Sequence, residues 1–170
     1  MPKLDLPRLE RDGSLSFEST VPPDDPLWEG SGLRFDGDVA VRGRASVSGT
    51  GEIIVQMHVD ADRMAECRRC LEPVRVPLEK DFIVVYGDAE EMEDDDGSDV
   101  RPLSVKATVL ELGEALREEI ILASDRWVEC RTDCAGLCPI CGVNWNEQTC
   151  ECSPDEPDPR WDALRALQSE

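Results

Sequence analysis

The chain has 170 residues, eight cysteines, and 18 Lys and Arg against 38 Asp and Glu, for a net charge of −20. No stretch approaches the roughly 20 apolar residues of a membrane-spanning helix, and Met1-Pro2-Lys3-Leu4-Asp5 lacks the apolar core of a leader, so a cytoplasmic protein with no membrane partner is expected. A charge this negative repels a phosphate backbone unless the few cations are clustered, and it favours basic partners.

The length suits one domain with a small appended module. We expect a β-rich domain over 1–125, a cysteine-rich module over 126–153 and a tail over 154–170. Leu15 to Glu18 alternates, and Val39-Ala40-Val41 leads through Arg42-Gly43-Arg44 to Val47. After the turn Ser48-Gly49-Thr50-Gly51, the residues Ile53, Val55, Met57 and Val59 share one face of a strand. Val74 to Leu78 reads as a weaker strand, with Pro73 and Pro77 placing it at an edge. Asp81 to Tyr86 is a further strand that Gly87 ends. Short turns between strands predict an antiparallel sheet or small barrel in an α+β fold.

Eight of the twelve residues 88–99 are acidic, and such a run reads as a solvated, mobile loop. One long helix is expected over 105–122, where Val109, Leu112, Leu116 and Ile120 recur at helical spacing. Pro154, Pro157 and Pro159 suggest a stiff connector, followed by a short helix docked through Trp161, with Leu164 and Leu167 on the same face.

The cysteines carry the clearest chemistry. Thiols stay reduced in a cytosol, so eight of them at close spacing point to metal rather than disulfides. Cys67-Arg68-Arg69-Cys70 follows a strand; Cys130, Cys134, Cys138, Cys141, Cys150 and Cys152 crowd a short segment. Two thiolates separated by two residues reach one ion from a single turn, and Gly142 after Cys141 suits the left-handed backbone of such a turn. Eight thiolates make one or two zinc sites. The pairing we favour puts Cys67, Cys70, Cys138 and Cys141 on one ion and Cys130, Cys134, Cys150 and Cys152 on another. A rival pairing completes one site inside the C-terminal module.

All-thiolate zinc is normally closed and structural, whereas catalytic zinc keeps a position open. The only histidine, His58, lies in an expected strand outside the clusters and reads as an ordinary strand residue. No nucleophile constellation or phosphate loop is visible, so neither catalysis nor a small-molecule substrate is expected. Iron–sulfur ligation is the other all-cysteine option, but the Cys-Pro-x-Cys-Gly spacing favours zinc. A thiol redox protein would call for its CxxC in a βαβ context, and a zinc-ribbon nucleic-acid-binding or transcription module would want a basic surface. The cations nearest the first pair, Arg68 and Arg69, with Arg42 and Arg44 in the strands, are the candidate partner-binding residues.

The motif Cys67-Arg68-Arg69-Cys70-Leu71-Glu72-Pro73-Val74 resembles that of the YceD family, also called domain of unknown function 177. The likeness continues through Glu119-Ile120-Ile121-Leu122, Gly136-Leu137-Cys138-Pro139-Ile140-Cys141-Gly142, Asn144-Trp145-Asn146, Cys150-Glu151-Cys152 and Asp158-Pro159-Arg160. It covers the chain from about residue 35, although Ala123-Ser124-Asp125 stands where the family usually has Leu-Pro. The resemblance implies support of large-subunit ribosomal RNA accumulation and ribosome assembly. The partner it implies is that RNA or a basic large-subunit ribosomal protein.

Overall fold

The computed structural model describes residues 1–88, 99–104 and 106–152. Strand β1 (Lys3–Asp5) runs straight into helix α1 (Leu6–Asp12). The Asp5 carboxylate accepts from the Arg8 backbone N–H at 2.8 Å and Pro7 sits in the first turn. Gly13, at φ 73°, ends the helix and donates its N–H to the Leu9 carbonyl.

Strands β2 (Ser14–Val21), β3 (Val39–Val47), β4 (Ile53–Glu66) and β5 (Pro73–Asp88) form an antiparallel meander. β6 (Val100–Leu103) then pairs parallel to β5, in the order β2-β3-β4-β5-β6. Among the described residues this sheet is open, since its end strands β2 and β6 do not pair, so the barrel alternative finds no support. Strand β7 (Val109–Glu111) pairs only with β1, and helix α2 (Gly113–Ala123) follows it.

The expected alternation holds on β4: Ile53, Val55, Met57 and Val59 are all buried. Their face meets Val39, Val41 and Ala45 of β3 and Phe82 and Val84 of β5. Leu112, Ala115, Leu116 and Ile120 of the α2 region and Leu6 and Leu9 of α1 close the same core, with Trp28 and Phe35 in ring contact at 4.8 Å. Gly43 of β3 needs to be a glycine, because a Cβ there would lie 2.3 Å from the Gln56 carbonyl oxygen and 2.6 Å from the Phe17 ring.

Two expectations change. The helix does not run over 105–122; it begins at Gly113, with β7 in front of it. Asp5, Leu4 and Lys3 pair with Val109, Leu110 and Glu111, and a Lys3–Glu111 ion pair at 2.6 Å fastens them. This pairing satisfies the backbone of β1, which outweighs the helical spacing of Val109, and Val109 is left exposed. The second change is that Val74–Leu78 and Asp81–Tyr86 are one continuous strand, β5. The edge reading still has a basis: β6 pairs only with Val85–Asp88, so around Pro73 and Pro77 the described residues place a strand, β4, on one side alone. The acidic run apart from Asp88 and Asp99, and the tail with Trp161, Leu164 and Leu167, lie outside the described residues.

Candidate metal centre

The β4–β5 hairpin reaches well beyond the neighbouring strands, and its tip is the first CxxC turn. There Cys67 donates its N–H to the Glu72 carbonyl at 2.8 Å, and Leu71 donates to the Cys67 carbonyl at 2.9 Å. The second CxxC turn repeats this wiring: Cys138 donates to Val143 at 2.8 Å and Gly142 to Cys138 at 2.9 Å. Both turns need a left-handed residue after the second cysteine. Gly142 fills that role at φ 75°, whereas Leu71 does so at φ 61° and is the only non-glycine with positive φ among the described residues.

After α2 the chain returns to the hairpin tip. Arg68 donates its backbone N–H to the Val128 carbonyl at 2.8 Å, and Leu137 donates to the Arg69 carbonyl at 3.1 Å. Gly136 packs against that carbonyl, which a Cβ would approach to 3.1 Å. These contacts bring Cys130 and Cys134 onto the first turn. The Sγ atoms of Cys67, Cys70, Cys130 and Cys134 lie within 4.8 Å of one another. Cys138, Cys141, Cys150 and Cys152 form a second such group. The expected pairing of Cys67 and Cys70 with Cys138 and Cys141 is thereby overturned. The backbone bonds place the 130–134 segment, not the second CxxC, beside the first. Two cysteines of the first tetrad come from each side of residue 126.

The separations fit a tetrahedral ion. Four sulfurs each about 2.3 Å from zinc stand about 3.8 Å apart; Cys67–Cys134 is 3.9 Å and Cys70–Cys130 is 3.6 Å. A disulfide would need about 2.05 Å, and all eight cysteines are free. The electrostatics point the same way. Backbone N–H groups of Cys130 and Cys70 lower the Cys67 thiol to about 6, and those of Cys141 and Ile140 lower Cys138 to about 6. Desolvation and then the neighbouring sulfurs push Cys130 up to about 12; Cys152 rises to about 12, first through the Cys141 sulfur and then through desolvation. Four thiols this close resist ionising together, and a bound dication removes that conflict. Either tetrad could therefore hold a metal ion.

Asn144-Trp145-Asn146 serves both tetrads. Asn146 directs its amide Nδ2 to Cys134 Sγ at 3.4 Å while its Oδ1 accepts from the Ala135 N–H at 2.8 Å and from Arg131 at 2.6 Å. Trp145 donates its indole N–H to Cys150 Sγ at 3.4 Å. Asn144 Oδ1 accepts from Asn146 Nδ2 at 2.7 Å. A ligand search by residue type passes over these donors, since none is a metal ligand itself. Their signal was an Asn-x-Asn between two cysteine pairs.

The four candidate arginines are not brought together. Arg68 is ion-paired with Glu129 at 2.8 Å and lies over the Trp127 ring, 5.3 Å from its centroid. Arg69 is exposed beside it. Arg42 and Arg44 sit in β3 opposite His58 and Gln56, far down the sheet from the hairpin tip. His58 Nδ1 is 2.8 Å from Asp81 Oδ1, away from both tetrads. No helix among the described residues is long and apolar enough to cross a membrane.

Residues 55–168 match the family model described as large ribosomal RNA subunit accumulation protein YceD. An uncharacterized protein of Mycobacterium bovis and two of Mycobacterium tuberculosis are each 28% identical to the chain over 112 residues. The matched region is 66% of this chain and 54% of each relative, so the chain spans about half the length of the curated relatives it matches. No solved structure matches. The family match takes in both cysteine tetrads and the Asn-Trp-Asn segment that reaches both of them, and the chain belongs to the YceD family.

Proposed function

We propose that the protein supports accumulation of large-subunit ribosomal RNA during ribosome assembly, by binding rather than by catalysis, and that each tetrad holds a structural zinc ion. The observation that carries this reading is the family match over 55–168, which includes all eight cysteines. Four sulfurs round one ion leave no position for a substrate or an activated water, so zinc here acts as a staple. The first ion joins the β4–β5 tip to the segment after α2; the second closes the small C-terminal loop. Thiol redox chemistry is disfavoured, because ligation occupies the thiolates it would use.

Depletion of the protein in its host tests the function. The ratio of large- to small-subunit ribosomal RNA should fall, and re-expression should restore it. An unchanged ratio removes the proposal. A second mode, escort of a basic ribosomal protein, draws support from the net charge of −20. Deletion of residues 90–96 should then weaken capture of such a protein and leave RNA association intact.

A further inference from the structure

The segment after α2 carries an aromatic ring that is largely open to solvent. Trp127 is 76% exposed, although its neighbour Val128 is buried and Arg68 lies over the ring. The ring is thus held in place by a rigid neighbour and a stacked guanidinium, and most of its surface is open. Its chain neighbours Arg126 and Val128 line a groove of about 360 Å³, bounded also by the 31–34 loop and the end of β4, with Arg34, Arg63 and Arg126 in its wall. Arg34 pairs with Glu66 at 2.9 Å, and Arg63 donates to the Asp125 backbone carbonyl at 2.9 Å, not to a carboxylate. Among the described residues no ion pair is recorded for Arg126 or Arg69. In a chain of net charge −20 this is a concentration of cations, with Arg34, Arg63, Arg68 and Arg126 against the carboxylates of Glu66, Asp125 and Glu129.

We propose that this surface binds single-stranded RNA, with an unpaired base stacked on Trp127 and the adjoining phosphates held by Arg126 and Arg63. The proposal deepens the ribosomal-RNA reading above and rests on it for the choice of RNA. A flat ring offered beside guanidinium groups suits a base and its phosphate; duplex bases are hidden from such a ring, so the target is unpaired. An acidic peptide would use the arginine forks but has no need of the ring.

The test uses the full, zinc-loaded chain and a fluorescein-labelled oligouridine, read by anisotropy over a salt series. Trp127→Ala should weaken binding about tenfold, the effect of losing one stacked base. Trp127→Phe should restore part of it. Arg126→Glu should weaken binding and flatten its salt dependence. All three variants change exposed side chains and should keep their zinc and melting temperature. The proposal is overturned if the wild type does not bind, if Trp127→Ala binds as well as the wild type, or if a labelled oligoglutamate of equal charge binds more tightly than the RNA, which marks an acidic protein as the partner. Rescue of depleted cells separates the two levels. If depletion lowers large-subunit RNA and Trp127→Ala rescues fully, this surface fails and the broader function stands. If depletion changes nothing, the broader function fails, while the anisotropy alone decides whether the surface binds RNA.

Discussion

Replacing Asn146 probes the first candidate metal centre without touching any of its four cysteines. Its amide Nδ2 lies 3.4 Å from Cys134 Sγ, and its Oδ1 holds the Ala135 N–H at 2.8 Å. A hydrogen bond to a charged acceptor contributes about 1.5–3 kcal/mol net. Loss of an outer-shell donor typically lowers metal affinity about 10–100-fold, which agrees with that energy at 1.4 kcal/mol per decade. Asn146→Ala should therefore weaken zinc at the first site by one to two decades. Asn146→Asp keeps the acceptor for Ala135 but turns a carboxylate oxygen toward the thiolate, so it should be worse than Ala. The assay is equilibrium competition with a chromophoric chelator, run in a Cys150→Ser background so that only the first site remains. The reverse background, Cys134→Ser, should show the second site changed by no more than a few-fold. Equal losses at both sites, or none at the first, refute the argument from the N–H···S contact.

Other expected outcomes are more local. Cys67→Ser and Cys134→Ser should lose the same equivalent of metal, and Cys138→Ser and Cys150→Ser the other; if Cys67→Ser and Cys138→Ser prove to share one, the observed pairing is wrong. Leu71→Gly should stabilise the protein by up to about 1 kcal/mol, because Leu71 bears φ 61° while being 59% exposed; a lower melting temperature would mean that its side chain makes contacts worth more than the strain. Leu116→Ala, at a fully buried position on α2, should cost about 2–5 kcal/mol in denaturant unfolding, and a cost under 1 would show α2 to be loosely packed. The Lys3 ammonium holds the Glu111 carboxyl below its ordinary 4.5. A depressed carboxyl stabilises the fold above its unfolded pKa and loses that contribution as pH falls through the folded one. The protection factor of the Leu4 amide, with the intrinsic pH dependence of exchange divided out, should accordingly fall below about pH 4.5 in the wild type, and Lys3→Ala should remove that step.

Some of this architecture was readable before any fold was known. Ile53 to Val59 alternates because one face of β4 is core, and Leu112, Leu116 and Ile120 recur because one face of the α2 region is core. The start of α2 was not readable from periodicity, since Val109 fits the helical stripe and only its pairing with Asp5 places it in a strand. The N-terminal helix carried local signals that went unread, an Asp5 cap, Pro7 in the first turn and Gly13 at the end. Residue type and spacing marked the eight cysteines as candidate metal ligands, and the structure gathers them into two tetrads that could hold an ion. Their pairing depends on where the chain goes after α2, which the Arg68–Val128 and Leu137–Arg69 backbone bonds decide and no local spacing reports. The exposed ring of Trp127 was likewise invisible, because burial is a property of the folded neighbourhood.

The claim on which the rest depends is that two all-cysteine metal centres hold the hairpin tip and the C-terminal loop. Elemental analysis and zinc-edge X-ray absorption on the purified full-length chain test it most directly. The expected result is two zinc ions per chain, each with four sulfurs at about 2.3 Å, together with a lower melting temperature after chelation. Metal-free protein with an unchanged melting temperature, or a shell containing nitrogen or oxygen, would contradict it.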